Sequence, residues 1–97
     1  MFDWDENKNI SNKEKHGVSF EEAETVFDDP NAICEYDELH SIDEIRYNLI
    51  GFSNFEAFER VLTVCHCQRG GNDEITRIIS ARRATKLEKV RYTENLK

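Results

Sequence analysis

RVLTVCHCQRGGNDEITRIISARR, residues 60–83, is the stretch that decides the fold. Residues 60–68 carry β-branched and apolar side chains through their first half, as a strand does. Gly70-Gly71-Asn72-Asp73 follows, a run that tolerates tight backbone turns. Residues 74–81 read as the return strand of the same hairpin. Working outward, residues 46–52 predict another strand, with Tyr47 and Leu49 on one face, and residues 32–36 a short one. Residues 37–43 form an acidic loop, and residues 53–59 are a connection with no clear element. Upstream, polar residues 5–16 predict an exposed helix that stops at Gly17. Ser19-Phe20-Glu21-Glu22 then fits a capping box, with Glu22 reaching back to the Ser19 amide. Phe20, Ala23, Val26 and Phe27 follow at helical spacing, and Pro30 ends the run. Phe2 and Trp4 alternate with Asp3 and Asp5, as in a short strand or an anchoring segment. Thr85-Lys86-Leu87-Glu88 is a second capping box, opening a helix to about residue 94 whose buried face would be Leu87 and Val90. The class is therefore α+β: two N-terminal helices, a small antiparallel sheet of about four strands and a C-terminal helix, in a single domain over residues 1–97.

Composition sets the character of the surface. The chain has 97 residues, 38% hydrophobic and 34% charged, with six Phe, three Tyr and one Trp. That implies a thin core under a heavily charged surface. The formal charge of −7 is unevenly placed. Residues 1–45 hold three Lys against fourteen acids, a balance of −11, and residues 46–97 hold ten Lys and Arg against six acids, a balance of +4. A basic half suits a polyanion, and an acidic half suits a basic protein partner. The start of the chain lacks both a basic segment and an apolar run, and no stretch is apolar enough to span a bilayer, so a cytoplasmic protein without membrane contact is expected. Cys34, Cys65 and Cys67 are read as reduced thiols.

Metal chemistry is not expected. Strand alternation puts Cys65 and Cys67 on one face and His66 on the other, and no remaining Cys or His completes a zinc spacing. No Gly-rich phosphate loop opens a helix. The arginines are more informative. Arg46, Arg69, Arg77, Arg82 and Arg83 fall on or beside the predicted strands, and guanidinium suits planar, bidentate contact with phosphate. Cleaving RNA without a metal requires a base for the 2′-hydroxyl, cations for the transition state and an acid for the leaving 5′-oxygen. Arg46, Arg77 and Arg82 fit the cationic role. His16, His66, Lys15, Glu88 and Tyr92 are the available proton carriers. The rival reading is that each Arg pairs with one of the twenty acids as a surface salt bridge. By strict alternation Arg77, Ile79 and Ala81 share a face, so Arg82 would reach the site from the strand's end.

Four stretches carry a resemblance. They are Lys15-His16-Gly17-Val18-Ser19-Phe20-Glu21-Glu22-Ala23 running on to Pro30; Arg77-Ile78-Ile79-Ser80-Ala81-Arg82-Arg83-Ala84 with Glu88 and Tyr92; Phe2-x-Trp4-Asp5; and Glu44-x-Arg46-x-x-x-Ile50-Gly51. Together, and in this order, they resemble the BrnT toxins of bacterial type II toxin–antitoxin systems. The resemblance implies a RelE-like fold and a metal-independent ribonuclease that halts translation and needs no cofactor. It implies a BrnA-type antitoxin with a ribbon-helix-helix DNA-binding part, so operator DNA is met only through the toxin–antitoxin complex. Carried over position by position, it marks Lys15, His16, Arg46, Arg77, Arg82 and Glu88 as catalytic candidates and Arg69 and Arg83 as RNA or phosphate contacts. Which residue is base and which is acid stays open. The alternative is a non-catalytic module that acts with its antitoxin as a repressor.

Overall fold

The computed structural model describes residues 1–56 and 58–96. Strand β1 (Phe2–Asp3) leads into helices α1 (Glu6–His16) and α2 (Phe20–Thr25), and α2 runs on into a 3-10 turn, Val26–Asp28. Strands β2 (Ile33–Tyr36), β3 (Tyr47–Phe52), β4 (Val61–Arg69) and β5 (Ile75–Arg83) follow, then α3 (Lys86–Asn95). The strands form one five-stranded sheet in the order β1-β5-β4-β3-β2. Pairing from β2 to β5 is antiparallel, while β1 lies parallel to β5, with Phe2 beside Thr76 and Asp3 beside Arg77. The sheet is therefore mixed and has five strands, not four antiparallel ones. The extra strand is the N-terminal segment, and its parallel sense needs no short crossover because nearly the whole chain connects it to β5. No helix among the described residues is long and apolar enough to cross a membrane.

One face of the sheet holds the main core. Leu49, Leu62, Val64, Ile78 and Ala81 pack against Val18, Phe20, Ala23 and Val26, with Phe2, Trp4 and Phe27 closing the side. Gly51 permits this approach, since a Cβ there would stand 2.8 Å from Ala32 Cβ and 2.9 Å from Val26 Cγ1. Helix α1 is polar, and its buried residues are Asn9 and Asn12. Asp5 caps its start, and Gly17, in the left-handed region at φ 70°, ends it. Beyond β1 the outer edge of β5 has no strand partner among the described residues, and Asn12 takes that place. Its Oδ1 accepts from the Ala81 amide at 3.2 Å, and its Nδ2 donates to the Ala81 carbonyl at 2.7 Å and the Val18 carbonyl at 2.8 Å. Asn9 Oδ1 likewise accepts from the Phe20 amide at 2.8 Å. Two side-chain amides thus dock a helix that has almost no apolar stripe.

Two details of the expected elements change. Ser19 does cap α2, accepting from the Glu22 amide at 3.0 Å, but the Glu22 carboxylate does not reach back. It is buried, and it accepts from Arg60 Nε at 2.9 Å and Nη2 at 2.6 Å and from Ser53 Oγ at 2.9 Å. The charge-assisted bonds of Arg60 outcompete a neutral amide for it. The second change is in α3. Leu87 is 72% exposed and Val90 46%, while Glu88 and Tyr92 are buried. The surface under α3 is mixed: Thr63 and Arg82 receive Glu88, Tyr92 packs with Ile50, Ala84, Ile33 and Val61 in a second, smaller core, and Leu87 and Val90 face outward.

Replacing Asn12 by Ala strands a buried backbone donor and two acceptors. Each unpaired buried group costs about 1–3 kcal/mol, and a loss of about 3–5 kcal/mol is expected by chemical denaturation, against less than about 0.5 kcal/mol for the exposed Asn7→Ala.

Candidate functional site

The second sheet face is built by an irregularity. In the β4–β5 ladder Cys65 pairs with Ser80, but His66 pairs with Ile78, so Ile79 is an extra, bulged residue. The bulge re-phases β5. Ile78 and Ala81, three apart, both enter the core. Arg77, Ser80 and Arg82 stand opposite Cys67, Cys65 and Thr63 on the other face. The expected grouping of Arg77 with Ile79 and Ala81 is therefore incorrect. Arg82 and Arg83 are the last two residues of β5, so Arg82 does reach the site from the end of the strand, but on the same face as Arg77.

Four arginines are spread along this face, each beside an acid. Arg82 makes a two-pronged contact with Glu88, Nη1 to Oε1 at 2.7 Å and Nη2 to Oε2 at 3.1 Å. Arg77 pairs with Asp3 across β5 and β1. Arg69 and Arg46 share one carboxylate, Glu44, at 3.2 and 3.7 Å. Arg46 Nε is buried with no hydrogen-bond partner, the one such side-chain atom among the described residues. The surface-salt-bridge reading is thus met in part. What it leaves over is a guanidinium whose hydrogen-bonding capacity is unfilled.

Glu88 is the hub between sheet and helix. Its Oε1 also accepts from Thr63 Oγ1 at 2.9 Å and from the Thr85 amide at 2.8 Å, completing the α3 capping box. Burial pushes its carboxyl up, but Arg82, the Thr85 amide and Thr63 together outweigh burial and hold it at about 2. Such a group is ionised at neutrality and is a weak base, so its place here is to orient Arg82. Tyr92, four residues on, donates to Asp29 Oδ2 at 2.6 Å, and burial followed by that bond pushes its phenol up to about 12. Asp29 also accepts from the Phe52 amide at 2.8 Å. Tyr92 therefore fastens α3 to the turn before β2.

Other candidates lie elsewhere. Lys15 and His16 are exposed in the last turn of α1. Among the described residues no hydrogen bond or ion pair joins them to the arginines. Arg83 alternates to the core side of β5 and is exposed. His66 is a core residue, buried between the rings of Phe27 at 5.0 Å and Tyr47 at 6.0 Å, and burial lowers its pKa. Cys65 and Cys67 do face away from His66, and all three cysteines are free thiols. Burial pushes the thiols of Cys65 and Cys67 up. No group of three or more His, Cys, Asp or Glu among the described residues could hold a metal ion.

Sequence reasoning passed over one part of the site. The loop between β2 and β3 folds over it, and Asp37 is buried there with His40 Nδ1 at 2.9 and 3.0 Å from its two oxygens. Cys65 Sγ approaches the same carboxylate at 4.0 Å. The acidic composition of the loop masked the pair, and the three-residue spacing of Asp and His was its one available signal.

The Glu88 contacts have a measurable pH signature. A carboxyl held below its ordinary range stabilises the fold fully above that range and loses the effect as pH falls toward its folded value. Glu88→Gln is expected to cost about 2–3 kcal/mol at pH 7, in line with breaking a partly buried charged pair. The gap between wild type and variant should close between about pH 5 and 2 in denaturant titrations.

Comparison with known proteins gives the family. The family described as "Ribonuclease toxin, BrnT, of type II toxin-antitoxin system" matches residues 4–88. Among solved structures, the ribonuclease toxin BrnT of Brucella abortus is similar, with a TM-score of 0.62 and 26% identity over 89% of this chain and 99% of that one. No curated protein matches the chain. The chain belongs to the BrnT family of ribonuclease toxins of type II toxin–antitoxin systems.

Proposed function

We propose that this protein is a metal-independent endoribonuclease toxin that cuts RNA on the open face of β3, β4 and β5 and so stops translation. Its neutralising partner is a BrnA-type antitoxin with a ribbon-helix-helix part, and operator DNA is reached through that complex alone. The protein acts in the cytoplasm as a single toxin domain, in the manner of RelE-like toxins. The observation that carries the reading is the row of arginines along one face, Arg69, Arg77 and Arg82 on the β4–β5 ladder with Arg46 joined to Arg69 through Glu44, and Arg46 Nε left without a partner.

Arg46 and Arg82 are assigned to the scissile phosphate, where charge grows in the transition state. Arg77 and Arg69 flank them along the strand path, and Arg83, the last residue of β5 and turned to its other side, is assigned an outlying phosphate contact. Glu88 acts as a positioning residue for Arg82. Lys15 and His16 stand outside this group and are assigned no part in the proton transfer. Near one-for-one pairing of arginines with acids means that overall charge gives little attraction, in keeping with a chain of net charge −7. Recognition then rests on directed guanidinium hydrogen bonds, and the salt dependence of binding should be shallow.

The same pairing favours a second reading, a module that binds antitoxin without cleaving RNA. Incubating purified protein with RNA in EDTA separates the two. Cleavage to fragments ending in 2′,3′-cyclic phosphate supports the ribonuclease, with Arg46→Ala and Arg82→Lys each lowering kcat/KM about 10²–10³-fold. RNA left intact by folded wild-type protein, which still binds its antitoxin, establishes the second.

A further inference from the structure

The four arginines bring cations to this face but no proton carrier. Its guanidiniums stay charged, the Glu88 carboxylate is occupied by Arg82, Thr63 and Thr85, and Lys15 and His16 make no contact with the group. We propose that His40 is the general base of this site and that Asp37 is its positioning residue, an inference that rests on the ribonuclease reading above.

The loop that carries the pair is stapled shut. The Asp37 amide donates to the Arg46 carbonyl at 2.9 Å. Ser41 Oγ donates to the Asp37 carbonyl at 2.6 Å and accepts from the Arg46 amide at 2.8 Å. His40 and Arg46 are thereby fixed to one another through backbone, at the end of β2 and the start of β3. The Asp37 side chain is 10% exposed and that of His40 65%. A buried carboxylate can only accept, so its contact with an exposed imidazole sets the tautomer: the proton sits on Nδ1, which leaves Nε2 with a free lone pair. Imidazole is also the side chain whose ordinary titration spans neutrality. The charged and titratable groups around the pair are Arg46 from the start of β3, Cys65 from β4, and Arg82 from β5, whose charge reaches both Cys65 and Asp37. A base with phosphate-binding cations on its flank is what 2′-hydroxyl attack requires.

The step balances without an outside reagent. His40 Nε2 takes the proton of the 2′-hydroxyl as the 2′-oxygen bonds to the adjacent phosphorus. The bond from phosphorus to the 5′-oxygen breaks, leaving a 2′,3′-cyclic phosphate. The departing 5′-oxygen takes a proton from solvent water, and the resulting hydroxide is neutralised by the imidazolium through bulk water. Arg46 and Arg82 bind the non-bridging oxygens, and Asp37 stabilises the imidazolium.

A His–Asp contact can also be a simple loop staple, and two substitutions separate the roles. Asn at position 40 keeps a donor for Asp37 but cannot accept and return the proton. Single-turnover cleavage of a labelled RNA oligonucleotide in EDTA is the measurement, on wild type, H40A, H40N, D37N and the H40A/D37N double variant, with melting curves alongside. H40A and H40N are expected to lose about 10²–10³-fold in rate at saturation with little change in KM. Added imidazole should restore part of the H40A rate. D37N should lose less than H40A and add nothing to it in the double variant. Wild-type rates from folded H40A or H40N would overturn the inference and leave the ribonuclease reading standing. Intact RNA with wild-type protein would remove that reading, and this inference with it.

Discussion

The bulge at Ile79 is the constraint on which the working face depends. A regular β5 would send Ile78 and Ala81 to opposite faces and split Arg77 from Arg82. One additional residue lets Ile78 and Ala81 both fill the core while Arg77, Ser80 and Arg82 line the other side. The cost of one unpaired position is local, and the gain is shared by the core and the site. Bulges often re-aim side chains in this way. Here the device sits on the central hairpin, where its effect passes to neighbouring strands.

The rest of the molecule is held together by polar contacts to an unusual degree, as its low apolar content requires. Asn12 completes an open sheet edge, Glu22 ties Arg60 and Ser53 together, and Asp29 receives Tyr92 and the Phe52 amide. Glu88 does two jobs at once, capping α3 and fixing the Arg82 guanidinium. Stability and site geometry therefore share the same atoms. A change at Glu88 is read in both, whereas among the described residues the Arg46 guanidinium makes a single long ion pair.

The sequence made the element order legible because turns and caps are local. Gly17, Pro30, the Gly70–Asp73 turn and the Thr85 box all fall where the chain bends. What failed was non-local. The parallel pairing of β1 with β5 joins the two ends of the chain and leaves no periodicity to see. Alternation beyond Ile78 fails because a bulge is set by packing on both faces. The Leu87 and Val90 stripe misled because α3 docks through Glu88 and Tyr92, onto Thr63, Arg82 and the small core around Ile50, and nothing within α3 reveals that. The arginines were visible as residues, but their shared face and the Asp37–His40 contact needed the fold.

The central claim is that RNA lies on the face shared by β3, β4 and β5. It is tested most directly by titrating the labelled protein with a 2′-O-methyl oligoribonucleotide, which binds but cannot be cleaved, and following amide signals by NMR. The account predicts shifts at Arg46, Cys65, Ser80 and Arg82 and in the loop around His40, with Asn9 and Asn12 unmoved. Shifts confined to the last turn of α1 at Lys15 and His16, with the sheet face silent, would contradict it.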